Sequence, residues 1–274
     1  MPLTTPLTTP ITPARDLEYR LSRLDRISTP ESFTGPAIFV SGCNRGGTSI
    51  VSQLLAAHPE VRSVGRGPFN EGQYIWRRRW RDWSRHRWAL PPWRWYLQRD
   101  ERAATPAAVA FFRNAFAEAM PSPGRMLEKT PANALRLRFI NALYPDCYFV
   151  HVLRDGRHTT ASLIARRVWP TVAPHQWVQA HRIALKDLAL LPQERACVVR
   201  YEELVADPTR TLEQICRRCR LSWDDSSGEA VLSTARQRLV TVEDRWSRLP
   251  SLTRNYALHV IADLQRSLDY PLDL

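Results

Sequence analysis

The segment that most constrains the fold of this 274-residue chain is a glycine-containing turn, SGCNRGGTS (41–49). The apolar run AIFV (37–40) precedes it, and TSIVSQLLAAH (48–58) follows with apolar residues at helical spacing. This order predicts a strand, a tight connection and a helix. Amides at the start of a helix are unpaired donors that favour an anion, so the turn is a candidate anion site; a Gly-Gly turn that only connects two elements is the alternative.

The turn differs from the nucleoside-triphosphate loop G-x-x-x-x-G-K-[ST], whose lysine reaches the outer phosphates. Here Thr48 follows Gly47 directly, and the nearest cation is Arg45, inside the turn. Gly46 and Gly47 let the backbone approach a ligand closely, and Thr48 and Ser49 offer hydroxyl groups. The residues alone leave open which anion the turn holds.

Further strand-like runs alternate with amphipathic ones along the chain. The strands are predicted at RMLEKT (125–130), CYFVHVLR (147–154) and ACVVRYEEL (196–204). Strands alternating with helices predict an α/β fold: a mostly parallel central sheet with helices on both faces. Ligands of such sheets lie beyond the carboxyl ends of the strands, where polar residues follow three of the predicted strands here.

The organisation predicted around this sheet is a single domain over 14–274, behind a disordered Pro/Thr-rich tail at 1–13. Tryptophans interleaved with arginines predict an insertion or lid at about 73–100. Helices are predicted at 14–27, 106–120, 133–144, 156–167, 175–191, from Asp207, and at about 251–268.

A second candidate anion site follows the strand at 147–154. Arg154 ends that strand, and Ser162 lies eight residues later in the predicted helix. An arginine at a strand end and a serine in the next helix can hold one phosphate together. Two such sites on neighbouring strand ends indicate a ligand with phosphates at both ends.

The net charge of +12 favours anionic partners, and only two of the 39 Lys and Arg residues, Lys129 and Lys186, are lysines. The five cysteines are an odd, scattered set, which is typical of a reduced intracellular protein. The sequence lacks a run of 18 apolar residues and a basic-then-apolar start. We therefore expect a cytoplasmic protein without a transmembrane segment; its oligomeric state is left open.

Four segments together resemble the motif series of the PAPS-dependent sulfotransferases, where PAPS is 3′-phosphoadenosine-5′-phosphosulfate. In order, they are SGCNRGGTSIVSQLLAAHPEV, EKTP, YFVHVLRDGRHTTAS and VVRYEELVADPTRTLEQI. The resemblance covers about 37–221 and implies a P-loop-like fold, PAPS as cofactor with 3′,5′-ADP as product, and no metal. It implies transfer of a sulfuryl group to a hydroxyl.

The resemblance also implies roles for individual residues. The cradle of the 5′-phosphosulfate would be Arg45, Gly46, Gly47, Thr48 and Ser49. The 3′-phosphate would lie on Arg154 and Ser162, with Tyr201 near the nucleotide. Two cations would be catalytic: Lys129 at the bridging oxygen of the leaving group, and Arg45 at the equatorial oxygens.

The general base is less defined by the resemblance. Related sequences carry a glutamate after the HPEV segment, at a place where this chain has Arg66. We predict that Glu71, five residues on, is the base; the rivals are Glu128, His58 and His86.

The acceptor and the Trp/Arg-rich segment allow several interpretations. The expected acceptor is a hydroxyl of a carbohydrate, glycolipid or small metabolite, which can be acidic. The segment can pack as a lid, bind the acceptor, or contact a membrane surface or nucleic acid. The alternative functions are a nucleotide kinase-like P-loop protein and a non-catalytic basic protein that binds polyanions.

Overall fold

A computed structural model describes residues 32–67, 69–80, 84, 86–239 and 244–272. The predicted tail at 1–13 and the predicted helix at 14–27 lie outside these residues.

Five parallel strands form one sheet in the order β2-β3-β1-β4-β5. They are β1 (Ile38–Gly42), β2 (Val61–Ser63), β3 (Arg125–Lys129), β4 (Tyr148–Leu153) and β5 (Ala196–Arg200). The loop after β1 therefore lies between the carboxyl ends of β3 and β4. This arrangement confirms the predicted α/β fold and brings the polar strand ends to one edge.

Eleven helices surround the sheet in the described part of the chain. They are α1 (Thr48–Ala56), α2 (Gln73–Arg77), α3 (Trp93–Leu97), α4 (Pro106–Ala119), α5 (Leu137–Leu143), α6 (Gly156–Ile164), α7 (Ala173–Leu188), α8 (Tyr201–Ala206), α9 (Pro208–Arg218), α10 (Asp225–Arg238) and α11 (Ser251–Ser267). Short 3₁₀ turns occur at Glu101–Ala103, Pro131–Leu135 and Gln193–Arg195.

Alternation along β1 explains why both faces of the sheet are covered. Phe39 packs into one apolar core, and Ile38 and Val40 pack into the other. Successive side chains of a strand point to opposite faces, so apolar residues at every position require helices on both sides. All five residues of β1 are buried accordingly.

The predicted strand over 196–204 is too long. β5 stops at Arg200, and Tyr201 begins α8. Two acidic residues, Glu202 and Glu203, lie in the first turn of α8, where the helix dipole favours negative charge. Tyr201 therefore stands at the carboxyl edge of the sheet, next to the other strand ends.

The Trp/Arg-rich segment packs mainly on the core. Trp76 and Trp88 are buried, and Trp80 and Trp93 are half-buried against the same apolar core. Trp95 is 67% exposed. The described tryptophans of the segment therefore serve mostly as packing, and its described residues form two short helices, α2 and α3.

Candidate active site

The loop after β1 packs closely against the ring of Tyr201. Gly47 is the N-cap of α1 with φ 95°, a left-handed conformation that favours glycine. A Cβ on Gly47 would lie 2.3 Å from the ring of Tyr201. Since Gly47 carries no side chain, it leaves the first-turn amides of α1 to an external acceptor.

Lys129 forms the first polar group of the site, at the end of β3. Its side chain is fully buried, and its Nζ donates to Ser49 Oγ at 3.0 Å and to Glu71 Oε1 at 3.1 Å. Burial lowers the pKa of Lys129, and Glu71 opposes that shift. The structure thus brings together two predicted catalytic residues, Lys129 and Glu71, and one predicted cradle residue, Ser49.

A short backbone pairing places Glu71 next to Lys129. The amides and carbonyls of Arg66 and Glu71 bond reciprocally at 3.0 and 3.1 Å, and Gly72 N donates to Lys129 O at 3.0 Å. The guanidinium of Arg66 lies 4.2 Å from the centre of the Tyr74 ring. Arg66 therefore neighbours Glu71 along the backbone, while its own side chain packs on an aromatic ring.

Two of the rival bases, Glu128 and His58, are buried. Glu128 is fully buried and accepts hydrogen bonds from Thr130 Oγ1 at 2.6 Å and from Asn133 Nδ2. Burial raises the pKa of Glu128. His58 is buried, and its Nε2 lies 2.9 Å from the carbonyl of Ser222. The third rival, His86, belongs to the Trp/Arg-rich segment.

The second polar group gathers Arg45, Arg154, Ser162 and Tyr201. Arg45 Nε donates to Ser162 Oγ at 3.1 Å, and Arg154 Nη1 donates to Arg45 O at 3.1 Å. The Arg154 guanidinium lies 4.9 Å from the centre of the Tyr201 ring. The side chain of Arg45 thus joins the predicted 3′-phosphate residues, a pairing that the sequence analysis did not foresee.

This group carries concentrated positive charge. Burial, followed by the neighbouring guanidiniums of Arg166, Arg245 and Arg154, lowers the pKa of Arg45. Burial also lowers the pKa of Arg154. Clustered, partly desolvated cations are unfavourable alone, and an anion between them would relieve the repulsion.

A cavity of about 800 Å³ opens beside Arg154 and Tyr201. Its walls come from α8, α9 and α10, and include Val205, Leu232 and Leu239. A mostly apolar wall with charged groups at one end suits a flat ring attached to a phosphate. Sequence reasoning missed this cavity; the available signal was the helical spacing of Leu232, Ala235 and Leu239, the last of which directly follows α10.

A family model described as "Sulfotransferase family" matches residues 36–225. Protein-tyrosine sulfotransferase 2 of Gallus gallus is 26% identical over 206 residues, covering 70% of this chain and 53% of that protein. Protein-tyrosine sulfotransferase A of Caenorhabditis elegans is 25% identical over 209 residues, covering 70% and 52%. The chain thus spans about half the length of these two curated relatives.

Two solved structures have a similar fold. Sulfotransferase STF9 from Mycobacterium avium superposes with a TM-score of 0.61 at 15% identity, covering 94% of this chain and 81% of that one. Mouse sulfotransferase SULT7A1, complexed with PAP, gives a TM-score of 0.52 at 12% identity, covering 92% and 91%. Within the described ranges, no helix is both long and apolar enough to cross a membrane.

Proposed function

The chain belongs to the sulfotransferase family, and on that premise we propose that it transfers a sulfuryl group from PAPS to an acceptor hydroxyl. The observation that carries the proposal is the pair of polar groups that flank one loop. Lys129 with Glu71 lies on the β3 side of the loop, and Arg154 with Ser162 lies on the β4 side. PAPS has a 3′-phosphate and a 5′-phosphosulfate, so it needs two separate anion sites.

The residues present fit this cofactor. We assign the 3′-phosphate to Arg154, Ser162 and the side chain of Arg45, which hydrogen-bonds Ser162. The 5′-phosphosulfate would lie on the amides of Gly47 to Ser49, where only a glycine fits beneath the Tyr201 ring. The purine would enter the cavity of about 800 Å³ beside Tyr201.

The chemistry assigned to this chain is charge stabilisation and proton removal. PAPS, when bound, supplies an activated sulfuryl group. The Lys129 ammonium stabilises negative charge next to the loop, and its burial strengthens that effect because little water screens it. A Glu71 oxygen accepts the proton of the acceptor hydroxyl; the carboxylate is 30% exposed and thus accessible from outside.

The acceptor that we propose is the hydroxyl of a tyrosine in a protein. Two relatives with about a quarter identity carry the name protein-tyrosine sulfotransferase. A phenol has a pKa of about 10 and gives up its proton to a carboxylate more readily than an aliphatic hydroxyl does. A carbohydrate, glycolipid or small-metabolite hydroxyl, as predicted from the sequence, is the alternative.

Calorimetric titration with 3′,5′-ADP, AMP and ATP tests the cofactor. We expect 3′,5′-ADP to bind more tightly than AMP, because only 3′,5′-ADP has the 3′-phosphate. ATP binding without 3′,5′-ADP binding would favour a kinase-like protein. Salt-sensitive binding of polyanions without any nucleotide binding would favour the non-catalytic alternative.

Labelled PAPS then tests the acceptor. We expect label to enter a tyrosine-containing peptide, but not the same peptide with phenylalanine in place of tyrosine. Label in an oligosaccharide or glycolipid, with none in the peptide, would refute the tyrosine assignment and leave the cofactor assignment intact. The cytoplasmic location stays a prediction, to be checked by fractionating cells that express the full chain.

A further inference from the structure

Gln265, near the end of α11, is a fully buried amide that faces the turn between β4 and α6. Its Oε1 accepts from Gly156 N at 3.0 Å. Its Nε2 donates to Asp155 Oδ1 at 2.8 Å and to Pro271 O at 3.1 Å. A single side chain thus connects the C-terminal helix to the two residues that follow Arg154.

One of these contacts satisfies a backbone amide that α6 leaves unpaired, and another adds a donor to a carboxylate that Arg157 already holds. Gly156 is the first residue of α6, so its amide has no partner within the helix. Asp155 is the N-cap of α6 and accepts from Arg157 N at 2.8 Å. A Cβ on Gly156 would lie 2.8 Å from Gln265 Oε1, so the fit between the helix and the turn is close.

The segment after α11 also contacts the turn between β4 and α6, through Glu202. Tyr270 donates its hydroxyl proton to Glu202 Oε2 at 3.0 Å, and Glu202 Oε1 accepts from Asp155 N at 3.0 Å. Glu202 directly follows Tyr201 in α8. The segment after α11 is therefore connected, through Glu202, to the turn that follows Arg154 and to the residue next to Tyr201.

The backbone of Arg154 is itself fixed from α7. Trp177 Nε1 donates to Arg154 O at 2.9 Å, and the Trp177 ring lies 3.1 Å from the position of a Cβ on Gly156. With Trp177 on one side and Gln265 on the other, the turn has little freedom to rotate. That constraint fixes the backbone from which the Arg154 side chain extends.

We propose that Gln265 is a positioning residue for 3′-phosphate recognition, acting through the turn that carries Arg154. The inference rests on the proposed cofactor site and adds a residue that touches no ligand. Gln265 would maintain the preference for a nucleotide with a 3′-phosphate over one without. A loosened turn would still admit both nucleotides, but it would bind them with more similar affinity.

The test compares Gln265→Met with the unchanged chain. Methionine keeps an unbranched side chain of similar length and removes all three hydrogen bonds. The quantity measured is the ratio of the Kd of AMP to the Kd of 3′,5′-ADP. We expect this ratio to fall about fivefold or more, with the Kd of AMP changing less than about twofold.

Ile261→Val is the matched control. Ile261 is also fully buried on α11, and its shortening destabilises the helix packing without touching the turn. We expect the ratio to stay unchanged in this control. An equal fall in both variants would show that Gln265 acts only through stability, which would overturn the proposal.

A double substitution with Arg154→Ala tests whether Gln265 acts through Arg154. In that background, Gln265→Met should change the ratio by less than about twofold, because the positioned group is gone. Full additivity would overturn the proposal. If Gln265→Met does not fold, Gln265→Asn replaces it, because the shorter side chain draws the amide away from Gly156 N and Asp155 Oδ1; an unchanged ratio there would also contradict the proposal.

The same Kd ratio tests the cofactor site and the role of Gln265 separately. An unchanged chain that shows no preference for 3′,5′-ADP over AMP would refute the proposed cofactor site. A clear preference that survives Gln265→Met would refute only the role of Gln265.

Discussion

Glu71 reaches Lys129 because the chain folds back on itself between Gly65 and Gly72. A Cβ on Gly65 would lie 2.4 Å from the Asn70 carbonyl oxygen, and one on Gly72 would lie 2.5 Å from a Glu128 oxygen. Both glycines are therefore required by close packing. The fold-back places the carboxylate of Glu71 beside the Lys129 ammonium. Glu71 thus supplies a carboxylate near the loop, although this chain has Arg66 at the position where related sequences carry a glutamate.

Glu71→Gln tests the assigned base with little change in shape. The amide oxygen of glutamine can still accept from Lys129 Nζ, so the pair keeps a hydrogen bond while the proton acceptor is lost. We expect kcat to fall by about 10²–10⁴, with the Kd of 3′,5′-ADP nearly unchanged. The measurement is sulfuryl transfer from labelled PAPS alongside calorimetry.

Glu118→Gln is the control, since Glu118 pairs with Arg78 at the surface. Retained transfer in Glu71→Gln would move the base to another group. If transfer is lost, adding Arg66→Glu to Glu71→Gln shows whether a carboxylate at the position expected from related sequences can restore it.

Gly47 permits the contact between the loop and Tyr201. Comparing Gly47→Ala with Gly67→Ala separates the effect of that contact from the effect of backbone strain. Gly47 and Gly67 both have positive φ, at 95° and 69°. A Cβ on Gly67 meets nothing within 4 Å, whereas one on Gly47 meets the Tyr201 ring at 2.3 Å. Backbone strain of about 1–2 kcal/mol applies to both, but only Gly47→Ala adds a clash.

We therefore expect Gly47→Ala to weaken 3′,5′-ADP binding by at least about tenfold, and Gly67→Ala to leave it within about twofold. Calorimetry on both variants, with unfolding by urea to separate stability, gives the comparison. Equal binding losses would mean that strain alone, and not the Tyr201 contact, governs the loop.

At the scale of elements, the Trp/Arg-rich segment contacts the ligand loop through the indole of Trp88. Trp88 is buried, and its Nε1 donates to Asn44 Oδ1 within the loop. The next residue, Ala89, donates its amide to Gln176 Oε1 at 3.0 Å on α7. The segment therefore supports the loop from outside the sheet, while Trp95 faces solvent.

Trp88→Phe should keep the aromatic packing and lose the donor to Asn44. We expect the Kd of 3′,5′-ADP to rise about threefold to tenfold, which corresponds to one hydrogen bond. Trp95→Phe, at a residue that is 67% exposed, should have no effect. The reverse pattern would favour a role of the segment in contacting a ligand or a surface.

The sequence predicted those elements whose signal is local. β1 and β4 are buried, mostly apolar runs followed by polar residues, and β3 is a short run that ends in polar residues. α9 begins at Pro208, after Asp207, which caps it by accepting from Arg210 N at 3.0 Å. β2 was missed because three residues carry no periodicity of their own.

The parts of the site that escaped prediction depend on distant contacts. Arg45 and Ser162 are separated by 117 positions, and Gly156 and Gln265 by 109. A single sequence gives the residue types at these positions but not which of them meet. The cavity beside Tyr201 escaped for the same reason, since three helices must pack before it exists.

At the scale of the whole molecule, buried groups on different elements contribute to the response of stability to pH. Ser41 Oγ lies 2.9 Å from His151 Nδ1, and His151 Nε2 lies 2.9 Å from His181 Nδ1. Both histidines are fully buried beneath the loop. Burial lowers the pKa of His151 to about 3, and burial followed by His151 lowers that of His181.

The two histidines and two buried acids act in opposite directions. An unfolded histidine, with a pKa of about 6.5, takes up a proton that the folded one refuses, so acidification below that value favours unfolding. Burial raises the pKa of Asp187 to about 6 and also raises that of Glu128. These acids bind protons more readily when folded, so acidification through the same range favours the folded state.

Because these contributions oppose each other, we compare the pH dependence of the unfolding free energy of His181→Phe with that of the unchanged chain. His181→Phe keeps an aromatic ring against Trp177, whose ring centre lies 5.2 Å from that of His181, and leaves Asp187 and Glu128 in place. One histidine that stays neutral when folded costs about 1.4 kcal/mol of unfolding free energy per pH unit between about pH 6 and pH 5. Urea unfolding across this range should therefore show the variant losing less stability than the unchanged chain, by about that slope.

His259→Gln, at an exposed position of α11, should follow the unchanged chain. Parallel curves for His181→Phe and the unchanged chain would mean that the buried pair takes up protons in the folded state, which its isolation from water and its hydrogen-bond geometry argue against.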